Sequence, residues 1–200
     1  MLETSLIVLI LIGDQLTKYL TERFLPLGAS YPLWEGVFEF TNVHNTGAAW
    51  GMFSGGRAFF IVITVIVCSL MLALLAKKRR ELGRLARVCL SLLIAGAAGN
   101  LIDRVILGYV RDMLNFSLIN FPVFNVADSA VCIGAALLVI DVLFSKTGSV
   151  FSVLESRKSG GEERLEKAPA AGPEVSLEEA TAAETQRAAE AGAEEDSDAD

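Results

Sequence analysis

The sequence predicts an all-α polytopic membrane protein with four transmembrane helices and a disordered acidic C-terminal tail. Three observations carry this reading. Of the 200 residues, 52% are hydrophobic and 20% charged, and the apolar ones gather in four blocks instead of spreading as a soluble core requires. Residues 58–76 are 19 positions without Asp, Glu, Lys or Arg, enough helical rise to cross a hydrocarbon core. Charge is also segregated: residues 1–154 carry a net +2 and residues 155–200 a net −9, so the overall −7 belongs to the tail. The expected organisation is a four-helix membrane domain at 1–154 and an acidic tail at 155–200.

The first block, residues 6–12, lacks both the basic n-region and the Ala-x-Ala site of a cleavable signal peptide, so it reads as a spanning helix. To reach about 20 residues it runs on through Gly13, Asp14, Gln15 and Lys18, which places polar groups near its far end. The second span is 58–76. The third is about 88–107, with Asn100, Asp103 and Arg104 inside it, and the fourth is about 124–144. Lys77, Lys78, Arg79, Arg80, Arg84 and Arg87 crowd the link between the second and third spans, which makes that link cytoplasmic. Both termini then lie inside, and loops 23–57 and 108–123 lie outside. Lys146, Arg157 and Lys158 agree, whereas the amino end offers only Glu3. Within the first outer loop, residues 34–43 (WEGVFEFTNV) are rich in β-branched and aromatic types between Pro32 and Asn45–Gly47, and predict a short strand or hairpin on the membrane surface. From Glu155 onward aromatics vanish, and the composition cannot bury enough apolar surface to fold. Ala and Glu favour a fraying helix at 175–191.

Cys68, Cys89 and Cys132 fall in apolar blocks far apart in sequence, and read as small apolar fillers rather than a disulfide or a CxxC pair. A single histidine excludes HExxH metal sites and most His-centred triads. No metal and no cofactor is therefore expected, and hydrolytic chemistry would rest on carboxylates. The chain has no nucleotide-binding glycine motif and no basic groove, which argues against nucleic acid as a partner.

An ionisable side chain inside a span costs roughly 2.5 to 3.5 kcal/mol on the insertion scale, so each one asks for a reason. Here they gather toward one side: Asp14 and Lys18 in the first span, Asn100, Asp103 and Arg104 in the third, Asn125 and Asp128 at the start of the fourth, with Asp112 in the outer loop between. This predicts a polar pocket at the outer membrane surface. Gly96, Asn100 and Asp103 or Arg104 share a helical face, as do Asn125, Asp128 and Ser129. Gly96, Ala97, Ala98 and Gly99 let the third helix approach its neighbours closely. Asp112 and Asp128 are the chemically suggestive pair, because two carboxylates in one site cannot easily both ionise, leaving one as acid and one as base. The competing reading pairs Asp112 with Arg111 or Arg104, and Asp128 with Arg104. Spacing alone leaves catalysis, structural glue and transport open.

Four motifs then stand in order on this frame: DQLTK (14–18), NTGAAWGMF (45–53), GAAGNLIDRVILGYVRDMLNF (96–116) and FNVADSAVCIG (124–134). Over about residues 5–145 the chain resembles the lipoprotein signal peptidases, the type II signal peptidases of bacteria. The resemblance implies four helices with a small extracytoplasmic β-cradle, and Asp112 and Asp128 as catalytic aspartates. It implies an aspartic endopeptidase that cuts prolipoproteins just before a cysteine carrying diacylglycerol, at the outer face of the cytoplasmic membrane. It further implies that Asn100, Arg104 and Asn125 surround the pair, that Asp14 and Lys18 support it, and that Asn45 and Gly47 lie in the motif-bearing outer loop. Prolipoprotein substrates and membrane lipids are the implied partners, and a monomer is expected. The acidic tail and the short amino terminus without basic residues depart from the family pattern.

Several residues read otherwise than as catalysts. His44 is taken as a surface or hydrogen-bonding residue because no positioned nucleophile accompanies it. Ser129 is taken as a helix-packing residue whose hydroxyl bonds to backbone. Asp103 is read as structural or supporting, and Asp141, near the inner end of the fourth span, as solvated. Trp34 and Trp50 suit interfacial anchors as well as substrate contacts. A small transporter or proton channel would string ionisable groups through the bilayer depth instead of gathering them. A scaffold acting through the acidic tail would lose its function on deletion of 155–200. A presenilin-type protease would need a GxGD motif, which the sequence lacks.

Overall fold

A computed structural model describes residues 2–47, 56–119, 121–145 and 147–154. They form α1 (Leu2–Phe24), β1 (Ser30–Trp34), β2 (Phe38–Asn45), α2 (Arg57–Lys78), α3 (Arg84–Ile106), β3 (Val110–Asn115) and α4 (Val126–Phe144), with a 3-10 turn at Ser117–Ile119. Trp50, most of the NTGAAWGMF segment, Lys146 and the tail lie outside the described residues.

Helices α2, α3 and α4 have the length and apolarity to cross a membrane. α1 is as long, at 23 residues, but Asp14, Lys18, Glu22 and Arg23 dilute it. It also continues to Phe24, so Asp14 and Lys18 sit nearer its middle than the far end that the sequence suggested. Large apolar side chains such as Leu9, Ile12, Phe59, Leu70, Val139 and Leu143 stand exposed on the helices, a surface suited to lipid.

α3 is the central helix and packs against α1, α2 and α4. Its buried face is built of small residues, Ala86, Cys89, Ser91, Ala95, Gly96 and Gly99, which permit that approach. A Cβ on Gly96 would collide with the Ala127 carbonyl of α4, and one on Gly99 would stand 2.6 Å from Asp14 Oδ2. Cys68 and Cys89 are buried as expected, whereas Cys132 is exposed on α4 and is not a filler.

The three strands form one antiparallel sheet in the order β1-β2-β3. The chain turns within the stretch read as a strand or hairpin, at Trp34–Phe38, where Gly36 takes a φ of +71°. β1 therefore lies upstream and includes Pro32, tolerated because β1 is an edge strand. β3 is a correction too: 108–123 reads as a plain loop, yet Val110–Asn115 pairs along β2. Gly108, with a φ of +91°, makes the sharp exit from α3 into this strand. A register shift between Phe40 and Val43 brings Val43 opposite Asp112, His44 opposite Arg111 and Asn45 opposite Val110. Strand alternation then divides β3, with Asp112 and Asn45 on one face and Arg111 and His44 on the other.

The start of α4 hangs from β3. Met113 N and Leu114 N donate to the Phe124 carbonyl at 3.0 and 2.8 Å. At the other end of the bundle, Glu3 of α1 is buried against Arg79 at 3.0 Å and Arg87 at 3.1 Å. Leu75, Leu82, Ala86, Leu90, Ile94 and Val153 form the core there. Asp141, expected in solvent, is buried instead: the chain beyond α4 folds back, and Ser145 Oγ and Val150 N donate to its carboxylate at 2.9 and 3.1 Å.

Candidate active site

Three asparagines hold two aspartates, and each amide has its orientation set by what occupies its oxygen. Asn45 accepts from Gly47 N at 2.9 Å, so its nitrogen is left to donate to Asp112 Oδ2, also at 2.9 Å. Asn125 ends the extended chain before α4 and caps the helix: its oxygen accepts from Asp128 N at 2.8 Å, while Asp128 Oδ2 accepts from Asn125 N at 3.2 Å. Its amide nitrogen is thereby aimed at Asp112 Oδ1, 2.7 Å away, and at Asn100 Oδ1, 3.1 Å away. Asn100 also accepts from Lys18 Nζ at 3.0 Å and donates to Asp128 Oδ1 at 2.7 Å.

Lys18 is fully buried between carboxylates, 2.9 Å from Asp14 and 3.3 Å from Asp103. Asp14 in turn accepts from Ala127 N at 2.9 Å, tying α1 to the first turn of α4 where backbone N–H groups favour an anion. Arg111, on the far face of β3, pairs with Asp103 at 2.7 Å and Glu22 at 3.2 Å. Neither aspartate of the pair has an ion-pair partner among the described residues, so the pairing with Arg111 or Arg104 suggested by sequence neighbourhood does not occur. Arg104 instead donates to the Gly47 carbonyl at 3.2 Å and lies over the Phe60 ring, 5.0 Å from its centroid.

Asp112 and Asp128 both open on a cavity of about 630 Å³. Asn45, Gly47, Asn100 and Arg104 supply its polar wall, and Phe116, Phe121, Phe124, Val131 and Ile133 much of its apolar one. Asp112 is 2% exposed. Burial first, and the charge of Asp128 second, push its carboxyl up to about 7, against the hydrogen bonds from Asn45 and Asn125 and the charge of Lys18. One of two carboxylates at a shared cavity then holds a proton near neutral pH, an arrangement able to activate water on one side and protonate a carbonyl on the other. Among the described residues no three His, Cys, Asp or Glu side chains gather as a metal site would need.

Comparison with known proteins bears on this geometry. Residues 6–144 match the family described as Signal peptidase (SPase) II. The chain belongs to the signal peptidase II family. The lipoprotein signal peptidase of Brevibacillus brevis is 46% identical over 132 residues, covering 64% of this chain and 86% of the relative. That of Enterococcus faecalis is 44% identical over 142 residues, covering 70% and 88%. A solved structure described as a bacterial membrane enzyme, determined in meso at 2.3 Å resolution, superposes with a TM-score of 0.67 at 36% identity, over 70% of this chain and 87% of that one. A second, at 1.9 Å, gives a TM-score of 0.65, also at 36% identity, over 72% and 94%. The protein is a membrane-embedded protease, mostly helical with a small antiparallel sheet.

All nine site positions expected of the peptidase, Asp14, Lys18, Asn45, Gly47, Asn100, Arg104, Asp112, Asn125 and Asp128, fall in this one network or on its cavity. Ser129 packs as read, its hydroxyl donating to the Asn125 carbonyl at 3.0 Å. His44 stacks on Tyr109 with ring centroids 3.8 Å apart and lies 3.2 Å from Glu22. Asp103, read as structural or supporting, lies 3.3 Å from Lys18 and 2.7 Å from Arg111. The sequence reading did not place Gln15, Glu22 or Arg111 in this network, and named Arg111 only as a possible partner of Asp112. Gln15, Lys18 and Glu22 recur at helical spacing, a signal that was available. For Arg111, only the strand pairing shows that it turns to Asp103 and Glu22 and not to Asp112.

Proposed function

We propose that this signal peptidase removes signal peptides from prolipoproteins whose lipobox cysteine carries diacylglycerol, cutting the bond before that cysteine with Asp112 and Asp128. The observation that carries the proposal is the pair of carboxyl groups held by asparagines, without a salt bridge among the described residues and opening on one largely apolar cavity. The ionised member takes a proton from water, whose oxygen attacks the scissile carbonyl carbon. The protonated member gives its proton to the carbonyl oxygen. Collapse of the resulting diol, with a proton passed to the leaving amine, releases the signal peptide and the new amino-terminal cysteine. Asn45, Asn100 and Asn125 fix the carboxyl groups, Lys18, itself paired with Asp14, fixes Asn100, and Gly47 and Arg104 form the rim over which the substrate backbone lies.

In this reading α1 is a fourth span, both termini are cytoplasmic, and the site faces outward in a bacterial cytoplasmic membrane. The contact of Glu3 with Arg79 and Arg87 supports it, because it puts the start of α1 beside the basic α2–α3 link. An outward site lets a lipid-anchored cysteine arrive laterally while water reaches the bond. Residues 155–200 are an acidic cytoplasmic segment, membrane lipids are the surroundings, and the enzyme acts as a monomer. The test is cleavage in detergent of a diacylglyceryl prolipoprotein peptide against its unmodified counterpart. The proposal predicts that only the modified peptide is cut, by the intact chain and by a chain ending at 154. Equal cleavage of both peptides, or a tail reporter found outside the cell membrane, would overturn the corresponding part.

A further inference from the structure

Arg111 stands next to Asp112 but on the opposite face of β3, and its contacts are unusually complete. Nη2 lies 2.7 Å from Asp103 Oδ1 and 2.9 Å from Gln15 Oε1, Nε is 3.2 Å from Asp103 Oδ2, and Nη1 is 3.2 Å from Glu22 Oε2. Its backbone N–H adds a bond to Asp103 Oδ2 at 3.0 Å. Five donors on one residue thus tie β3 to α1 and α3, in the fork geometry that suits a guanidinium and not an ammonium. Glu22 is held in place by His44 at 3.2 Å and by the Tyr109 hydroxyl at 3.4 Å.

Asp103 has a second cation. Lys18 sits 3.3 Å from it, and Lys18 also orients Asn100, which donates to Asp128. Arg111 therefore reaches both aspartates: Asp112 through the strand, and Asp128 through Asp103, Lys18 and Asn100. Lys18 already bridges Asp14 and Asp103, so without the guanidinium it is the cation left to Asp103 among the described residues.

We infer that Arg111 is a positioning residue for the aspartate pair, clamping β3 at the depth that buries Asp112 and holding Lys18 where it directs Asn100 toward Asp128. The inference rests on the proposed peptidase mechanism but assigns a residue outside its cavity.

The experiment compares the full-length parent with Arg111→Met, Arg111→Lys and Glu22→Gln in detergent, on a diacylglyceryl prolipoprotein peptide, recording kcat, KM, pH profile and melting. Arg111→Met is expected to lose about 100-fold in kcat, the scale of an ångström-sized misplacement, with KM within about 3-fold. The basic limb of its pH profile moves toward acid as water reaches Asp112. Arg111→Lys recovers part of the loss, and Glu22→Gln shows a smaller fall with the same direction of shift. The inference is overturned if folded Arg111→Met keeps the parent's kcat and profile, or loses activity with an unmoved profile and no recovery in Arg111→Lys. Should Arg111→Met fail to fold, parent-like kcat and profile in both Arg111→Lys and Glu22→Gln overturn it. A parent that cuts nothing, or an Asp112→Asn variant that cuts normally, instead rejects the underlying mechanism.

Discussion

Lys18 Nζ stands 3.0 Å from Asn100 Oδ1, and because an ammonium only donates, this contact decides that Asn100 turns its amide nitrogen to Asp128. Lys18→Met removes that instruction and leaves Asp14 without its cation. The expected outcome is a loss of roughly 3 to 5 kcal/mol of stability, the usual result of breaking a buried pair from one side, together with loss of cleavage. Chemical denaturation in detergent checks it. A variant as stable as the parent would show that the buried carboxylates do not depend on this cation.

Asp112→Asn and Asp128→Asn are each expected to abolish cleavage while the protein remains folded in the membrane, since Asn keeps the shape and removes the ionisable proton. The double variant should be little worse than either single one, as for groups that act as a unit. Near-normal turnover by either single variant in the peptide assay would remove that residue from the proposed pair.

The raised pKa of Asp112 sets a sign for stability against pH. An unfolded chain releases this proton near the ordinary carboxylate value of about 4, whereas the folded protein keeps it up to about 7. Between those values the folded state binds more protons than the unfolded one, so stability falls as pH rises through that window, by a total on the order of a few kcal/mol. Asp112→Asn lacks this dependence. It should melt above the parent at pH 8 and close to it near pH 4, as thermal scans in detergent will show. An unchanged difference across the range would mean that Asp112 is not the group responsible.

Gly99→Ala tests the close approach of the helices. The added Cβ would stand 2.6 Å from Asp14 Oδ2 and 3.1 Å from Ala127 Cβ, so Asp14 must leave its bond to Ala127 N or α4 must move. Overpacking of this kind costs about 1 to 3 kcal/mol. Activity should fall with stability, because α4 carries Asp128. Parent-like melting and kcat would show that α3 and α4 have room to adjust.

Three of the four helices are legible in the residue pattern. Apolar runs at 58–76, about 88–107 and about 124–144 marked α2, α3 and α4, because a helix in lipid must satisfy its own backbone and so needs an uninterrupted apolar run. Polar groups at Asp14, Lys18, Asn100, Asp103, Asn125 and Asp128 announced a site, since the membrane would otherwise have excluded them. Asp141 shows the limit of that argument: its depth in the chain suggested solvent, and only the return of residues 149–153 onto the bundle buried it. β3 shows a deeper one. Nothing local in VRDMLN specifies a strand, because its partner is the edge of β2, more than sixty residues earlier. That pairing alone decided that Asp112 faces Asn45 and Asn125 while Arg111 faces Glu22 and Asp103. Adjacent residues on a strand point to opposite faces, but which face becomes the site is a property of register, and register is tertiary.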